Sequence, residues 1–560
     1  MRGSLLNLLR NHLSLVLIIG VGLVFLIIYS WLYSGSDPIF TSPDETANYY
    51  FSQLFAAESK LRFHDPLNEI SGGLIHPRSM AVRGGELIPG SFLGMPLLYG
   101  SIAKVFGIGS ILKITPILAV IGAVFFYFLI KDIFLERIAT ISTLLLLILP
   151  PFFLYSSRGM FHNVPFVSFF IVGLFFLVHQ FLYPLTLKKR LLFLSLSGVC
   201  TGLSLALRTS EIFWVLAVFA IIFLSNLRRL SLVQLVFWVV SFFAVMTPIL
   251  VANTHIYGSA LSFAYSFEHE GTSSMLTSGP SLLQNIGKAI LPFGINFSTM
   301  KYATYDYLLL AFGWWALFTI TGAVWILRDI VLAFIKKYTT WLGGPWRSTS
   351  MPVLIYTLLF LTVSLVLVVF YGSFEISEYF DKSVIILGSS YIRYWLPVYI
   401  FGIPFVVVSL FRLGRLVRNK WISNVIQIGV SFVIIVTSLH FTFLDPLYGI
   451  AATKKNTQNN IHIRESILSS TEEDSIVITG NADKVIFPER RVIVDLPLKT
   501  DGDLATLRLM LKTTRIYVYT NPLNTDVIHL REHLIQAGFT LSYVTNLTMA
   551  GETLEEVLLD

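Results

Sequence analysis

The chain is poor in charge and nearly without cysteine. Of its 560 residues only 13% are charged, and Cys200 is the single cysteine. Soluble domains carry roughly 25% charged residues, so the scarcity excludes an ordinary soluble fold over most of the length. One cysteine excludes an intramolecular disulfide and a cysteine-based metal site. The chain also lacks a glycine-rich phosphate loop, an internal repeat and a low-complexity tract. What it has is apolar bulk: 55% hydrophobic residues, 14% aromatic, 46 phenylalanines and a mean hydropathy of +0.73. The formal net charge of +7 is what basic cytoplasmic loops produce, and no nucleic-acid partner is expected.

Runs long enough to cross a bilayer, about 20 apolar residues each, recur along the first four fifths. The first, Leu13 to Tyr33, is too long for a signal peptide and ends on the interfacial aromatics Trp31 and Tyr33. Others follow at Ile114–Ile130, Ile138–Tyr155, Val164–Leu185, Leu191–Leu207, Ile212–Leu224, Leu232–Ala252, Tyr307–Leu327, Val353–Tyr371, Tyr391–Leu410 and Val425–Phe443. This makes an α-helical polytopic protein of about 11 transmembrane helices. Pro151, Pro248 and Pro397 are expected near helix ends, where proline is tolerated. One set of connecting loops carries 17 basic residues and only three acidic ones, Asp132, Glu136 and Asp329; the opposite set, before Asp445, carries 12 basic and 14 acidic. The positive-inside rule assigns the first set, with the N-terminus, to the cytoplasm of an integral plasma-membrane protein. The first outer loop, residues 34–113, then faces outward. Within it Leu87 to Phe106 is read as an amphipathic interfacial helix, because spanning there would reverse every later loop.

Residues 1–444 thus form the membrane domain. Residues 445–560 are soluble-like: the strands "SIVITG", "RVIVDLP", "RIYVYT" and "LSYVTN" alternate with helical stretches near Leu504–Leu511 and Asp526–Ala537. That pattern predicts a small extracytoplasmic α/β domain with an accessory or acceptor-recognition role.

Chemistry gathers at the outer face. "SPDETANYY", from Ser42, reads first as a helix start, with Ser42 as N-cap, Pro43 at the first position and Glu45 as capping-box partner. The helix Thr46–Leu61 then places Ala47, Phe51, Leu54 and Phe55 on one face. Capping leaves Asp44 at the positive end of the helix dipole, ionised and able to accept a proton. The same loop holds His76, Arg78, Arg83 and Glu86, and later outer ends add Arg158, Arg208, Glu211, Lys301 and Arg393. Interfacial snorkelling explains any one such cation. Their recurrence at one face points to an anionic head group, and Arg78, Arg208 and Arg393 are the leading candidates because guanidinium binds phosphate through two oxygens. Without a nucleotide site, the activated donor is a lipid phosphate, with Asp44 as general base and arginines neutralising the departing phosphate. No pair among His76, His162, His255 and His269 has the i, i+4 zinc spacing; a divalent cation assisting the phosphate stays open. The sequons at Asn296 and Asn546 carry no weight.

In order along the chain, "PDE" follows the first span, and "GMPLLYGSIAKVFG" stands before the second. "SRGMFHNVPF" follows the third, "VANTHIYGSALSFAY" the seventh, and "IRYWLP" comes late. Together these resemble the GT-C superfamily of polytopic glycosyltransferases, near the dolichyl-phosphate-mannose-protein mannosyltransferase and aminoarabinose transferase branch, over roughly Met1–Leu410. The resemblance implies outer juxtamembrane helices and an inverting transfer from a polyprenyl-phosphate-linked sugar, at the membrane lipid surface, to an extracytoplasmic protein, lipid or glycan. It implies Asp44 as base, Glu45 as supporting acid, and Arg393 and Tyr394 at the donor phosphate; Tyr257 lies in its Asn-x3-aromatic-Gly-Ser element. Asn163 departs from it, standing where relatives often carry an acid. Two other classes compete: a flippase for lipid-linked sugar, which needs polar groups deep in the spans, and a non-catalytic membrane scaffold.

Overall fold

The computed structural model describes residues 13–33, 38–262, 294–336, 340–341, 344–345, 350–374, 391–446, 449–494, 501–521, 525–547 and 551–559. Among these residues, nine helices are long and apolar enough to cross a membrane, from Leu13–Ser30 to Lys420–Leu444. A tenth crossing is the bent pair Glu136–Ile148 and Pro150–Ser157, which turns by 55°. Leu149 ends the first segment and Pro150 opens the second, where its missing N–H costs nothing. The shorter apolar helix Ile212–Ser225 occupies the remaining expected position. The protein is an integral, multi-pass membrane protein. Pro248 lies inside the helix Leu232–Tyr257 rather than near its end, because that helix runs beyond the expected Ala252.

Helices pack here without a hydrophobic drive between them, so close backbone approach matters. Gly198 and Gly202 form a G-x-x-x-G pair on Leu187–Leu207, facing Leu232–Tyr257. A β-carbon on Gly198 would lie 2.4 Å from the Trp238 carbonyl, and one on Gly202 2.9 Å from that of Phe242.

The first outer loop folds as two helices and a small sheet. Pro43–Glu58 packs along Gly94–Phe106. Part of the expected interfacial helix is instead strand: Glu86–Pro89 pairs with Met80–Arg83 and with Phe63–His64. The two glycines Gly84 and Gly85, both at positive φ, make the turn that lets this hairpin form. Helix begins only at Gly94, whose β-carbon would meet the Ala206 carbonyl at 2.0 Å. Only glycine lets this helix sit against the end of Leu187–Leu207, beside Arg208.

The C-terminal region carries a five-stranded sheet in the order Arg491–Val494, Ile476–Thr479, Ile516–Thr520, Thr553–Leu559, Phe539–Asn546. The first three strands are parallel and Thr553–Leu559 is antiparallel to both neighbours. That last strand, "TLEEVLL", escapes sequence reading because two glutamates interrupt its apolar run. The polar helix Ile450–Ser470 precedes the sheet. The sheet docks on the first outer loop. Ile75 is part of its core and pairs with Ile493, and Arg491 bonds Asp65 at 2.9 Å.

Candidate active site

Pro43 starts the loop helix, but the expected capping box does not form. Ser42 has extended backbone and its side chain makes no cap hydrogen bond. Glu45 is engaged elsewhere. It is fully buried, with Oε2 receiving Arg158 Nη2 at 2.6 Å and Nε at 3.2 Å, and Oε1 receiving the Tyr33 hydroxyl at 3.2 Å. The guanidinium of Arg158 also reaches Thr41 Oγ1 at 2.9 Å. A buried charge needs such a partner more than a helix end needs a cap.

Asp44 faces the other way and keeps 23% of its side chain accessible. Its Oδ2 receives Arg393 Nη2 at 2.8 Å, and its Oδ1 receives Ser79 Oγ at 2.6 Å. Ser79 holds φ 61°, a left-handed conformation that costs a residue with a β-carbon about 1–2 kcal/mol. The adjacent acids are tuned in opposite directions. Burial opposes ionisation of Asp44, but the Arg393 charge and the Ser79 and Arg393 hydrogen bonds hold its carboxyl below the usual range. Burial pushes the Glu45 carboxyl up, against the pull of Arg158 and Tyr33.

Aromatic rings link the pairs into a chain. Phe161 lies under both Arg158 (4.6 Å) and Arg393 (4.4 Å). Tyr394 lies under Arg393 (5.3 Å) and Arg208 (4.9 Å) and stacks on Tyr371 at 4.7 Å. Arg208 pairs with Glu211 at 2.8 Å and reaches the Tyr371 hydroxyl at 2.8 Å, while Trp214 Nε1 donates to Glu211 at 2.5 Å. Among the described residues two buried ring or guanidinium nitrogens of this cluster, Arg393 Nε and His162 Nε2, have no hydrogen-bond partner. The Asn163 side chain donates to the Arg393 carbonyl at 3.2 Å, a contact that an aspartate there cannot make.

The expected residues therefore divide. Asp44, Glu45, Arg158, Arg208, Glu211, Arg393 and Tyr394 come together. His76, Arg78, Arg83 and Tyr257 hold the surrounding frame instead. Arg78 is clamped by Asp483, its Nη2 at 2.6 Å and its backbone N–H at 2.8 Å. Arg83 donates to the Ile256 carbonyl at 3.0 Å, and the Tyr257 hydroxyl donates to the Pro89 and Ser91 carbonyls at 2.9 and 2.8 Å. His76 lines a small cavity of about 160 Å³ against the C-terminal domain with Asp65, Phe487 and Arg491, and burial lowers its pKa. His269 lies outside the described residues. Among the described residues no three His, Cys, Asp or Glu side chains gather as metal ligands. Asp44 and Glu45 already face guanidinium groups, so this donor set does not fit a divalent cation. Sequence reading missed Ser79 and Tyr371 as members of the cluster and weighed His162 only as a metal ligand; only the left-handed Ser79, once the backbone is known, marks itself out.

Below the Glu211–Trp214 corner lies an apolar cavity of about 910 Å³. Phe170, Trp214, Val218, Ile222, Tyr356 and Phe401 line it, and Arg228 and Arg229 stand at its far end.

No protein-family model matches this chain, and no curated protein sequence matches it. Solved structures do. ArnT from Cupriavidus metallidurans bound to undecaprenyl phosphate is similar with a TM-score of 0.56 and 12% identity, covering 97% of each chain. The fold is the GT-C fold. The apo state of the same ArnT gives 0.55 at 11% identity, again over 97% of both chains. The archaeal oligosaccharyltransferase AglB from Archaeoglobus fulgidus, in complex with an inhibitory peptide and a dolichol-phosphate, gives 0.53 at 10% identity over 96% of this chain and 73% of its own. At such identities the likeness concerns architecture, so the roles of individual side chains rest on their geometry.

Proposed function

We propose that this protein is a glycosyltransferase that moves a sugar from a polyprenyl-phosphate-linked donor to an extracytoplasmic acceptor, with inversion. The observation that carries the reading is the half-open Asp44–Arg393 pair, in a helix bundle that also holds an apolar cavity lined by Trp214, Pro397 and Val398. The cavity suits a lipid tail, and its volume is in the range of ligand sites. Co-structures of fold neighbours with undecaprenyl phosphate and with a dolichol-phosphate support the same donor class. The loop charge bias supports an outward-facing site.

In the transfer, the bond between the sugar C1 and the phosphate oxygen breaks. A bond forms from C1 to the acceptor oxygen or nitrogen, whose proton passes to Asp44. Polyprenyl phosphate leaves as an anion, met by Arg393 through its unpaired Nε and supported by Arg208 beyond Tyr394. As that phosphate draws on Arg393, the hold on Asp44 weakens and its basicity rises, which couples donor binding to base strength. Purified protein in nanodiscs, given undecaprenyl-phosphate-linked sugar and a membrane extract as acceptor source, is expected to release undecaprenyl phosphate. Movement of the intact lipid between leaflets without release is the flippase outcome, and neither event is the scaffold outcome.

A further inference from the structure

Among the described residues one cation near the site lacks an ion pair, and it sits on the C-terminal domain. Four arginines each have a carboxylate: Arg78 with Asp483, Arg158 with Glu45, Arg393 with Asp44, and Arg208 with Glu211. A fifth cation, Lys484, has none among the described residues. Its own neighbour Asp483 is taken by Arg78 through both oxygens. Among the described residues the Lys484 amine makes no hydrogen bond or ion pair, and only its backbone carbonyl is engaged, by Thr46 Oγ1 at 3.2 Å. That contact sets Lys484 on the first turn of the helix that bears Asp44, while the Arg78–Asp483 clamp fixes the turn Asp483–Ile486 from the other side. The ring of Phe487 packs on Tyr50 at 4.9 Å, holding the same turn against the same helix. Lys484 is half-buried, and the charges acting on it are Arg78, Asp483 and Arg158.

We infer that Lys484 is a binding residue for the donor's phosphate, contributed to the membrane-domain site by the C-terminal domain. Among the described residues Lys484 is a half-buried cation without an ion pair beside four paired arginines, and an anionic occupant supplies the missing partner. The phosphate is the one anion the reaction brings. The inference rests on the glycosyltransferase reading and deepens it, because the C-terminal domain then completes the site rather than serving only as an accessory. Burial, with Arg78 and Arg158 acting the same way against Asp483, lowers the Lys484 amine to about 8. Its charge is therefore lost as pH rises through that value, and phosphate affinity in the empty site falls with it.

The test uses full-length protein with two probes, undecaprenyl phosphate and uncharged undecaprenol. Lys484→Gln is expected to weaken undecaprenyl phosphate binding about ten-fold, equivalent to about 1.4 kcal/mol, with undecaprenol affinity and melting temperature unchanged. Lys484→Arg is expected to restore most of the affinity and to remove its decline between pH 7 and 9.5. Unchanged undecaprenyl phosphate affinity in Lys484→Gln overturns the inference, and it is also the result expected if the lysine serves an acceptor phosphate. Parallel loss for both probes marks a structural role and overturns it as well. Failure of the unmutated protein to bind undecaprenyl phosphate at all removes the glycosyltransferase reading along with it, a result that does not resemble either of the others.

Discussion

Two ion pairs share the Phe161 ring and use adjacent acids, yet they differ in kind. Glu45–Arg158 is sealed: the carboxylate is wholly buried and its bonds run to Arg158 and Tyr33. Asp44–Arg393 is open: the carboxylate keeps access to the cleft and the guanidinium keeps an unmet donor. The sealed pair has the make-up of a strut and the open pair that of a working group. The difference comes from helical geometry. Successive residues on a helix point about 100° apart, so one acid faces the bundle and the other the cleft.

Removing the open carboxylate tests this contrast most sharply. Asp44→Asn is expected to cut sugar transfer by about 10²–10⁴-fold, the usual contribution of a general base, with the melting temperature little changed. A variant that transfers normally ends the base assignment. The pH–rate profile gives a second reading of the same group. The Asp44 carboxyl is held below its ordinary value in the folded protein, so its charge and the stability of its pair persist above the unfolded value and are lost only as pH falls through the depressed one. An acid limb from Asp44 is not expected between pH 5 and 7.

Glu45→Gln should do the reverse. Burying Glu45 costs more than Arg158 and Tyr33 return, as its raised pKa indicates, but deleting its charge strands Arg158. Losing one member of a buried pair costs about 3–5 kcal/mol, which a thermal melt would register, while transfer per folded molecule falls far less than in Asp44→Asn. Equal effects of the two variants on rate and on stability would erase the distinction. The smallest expected effect lies at the domain contact. Breaking Arg78–Asp483 with Asp483→Asn removes charge-assisted bonds worth about 1.5–3 kcal/mol, and faster proteolysis between Leu444 and Ile450 would report the loosened domain.

How far the sequence was legible follows from the kind of signal. Spans depend on apolar length alone, and each of the 11 runs falls on a helix, with the break at Leu149 and Pro150 as the main refinement. The strands "SIVITG" and "RIYVYT" were legible because they are apolar and β-branched; "TLEEVLL" was not, because its glutamates mask the pattern. At the site, Asp44, Arg208 and Arg393 stood out as charges at apolar edges, where any charge is costly. Arg78 and Arg83 stood out for the same reason, and the structure gives them structural partners. A single sequence shows that a cation is present but not whether a carboxylate from 405 residues away, as with Asp483, already neutralises it. Capping went astray likewise: S-P-x-E satisfies the local rule, and a tertiary partner, Arg158, claims the glutamate.

The sequence by itself determined that the chain lives in a membrane, how its spans are spaced, which face is basic, and that carboxylate and arginine meet at the other. Those properties are sums over local composition, and solvent or lipid reads them residue by residue. Only the tertiary structure decided which acid pairs with which arginine, which carboxylate keeps access to the cleft, and that Lys484 from the C-terminal domain makes no ion pair among the described residues. These outcomes depend on distances between residues far apart in the chain, and charge pairing in a low dielectric is decided by distance.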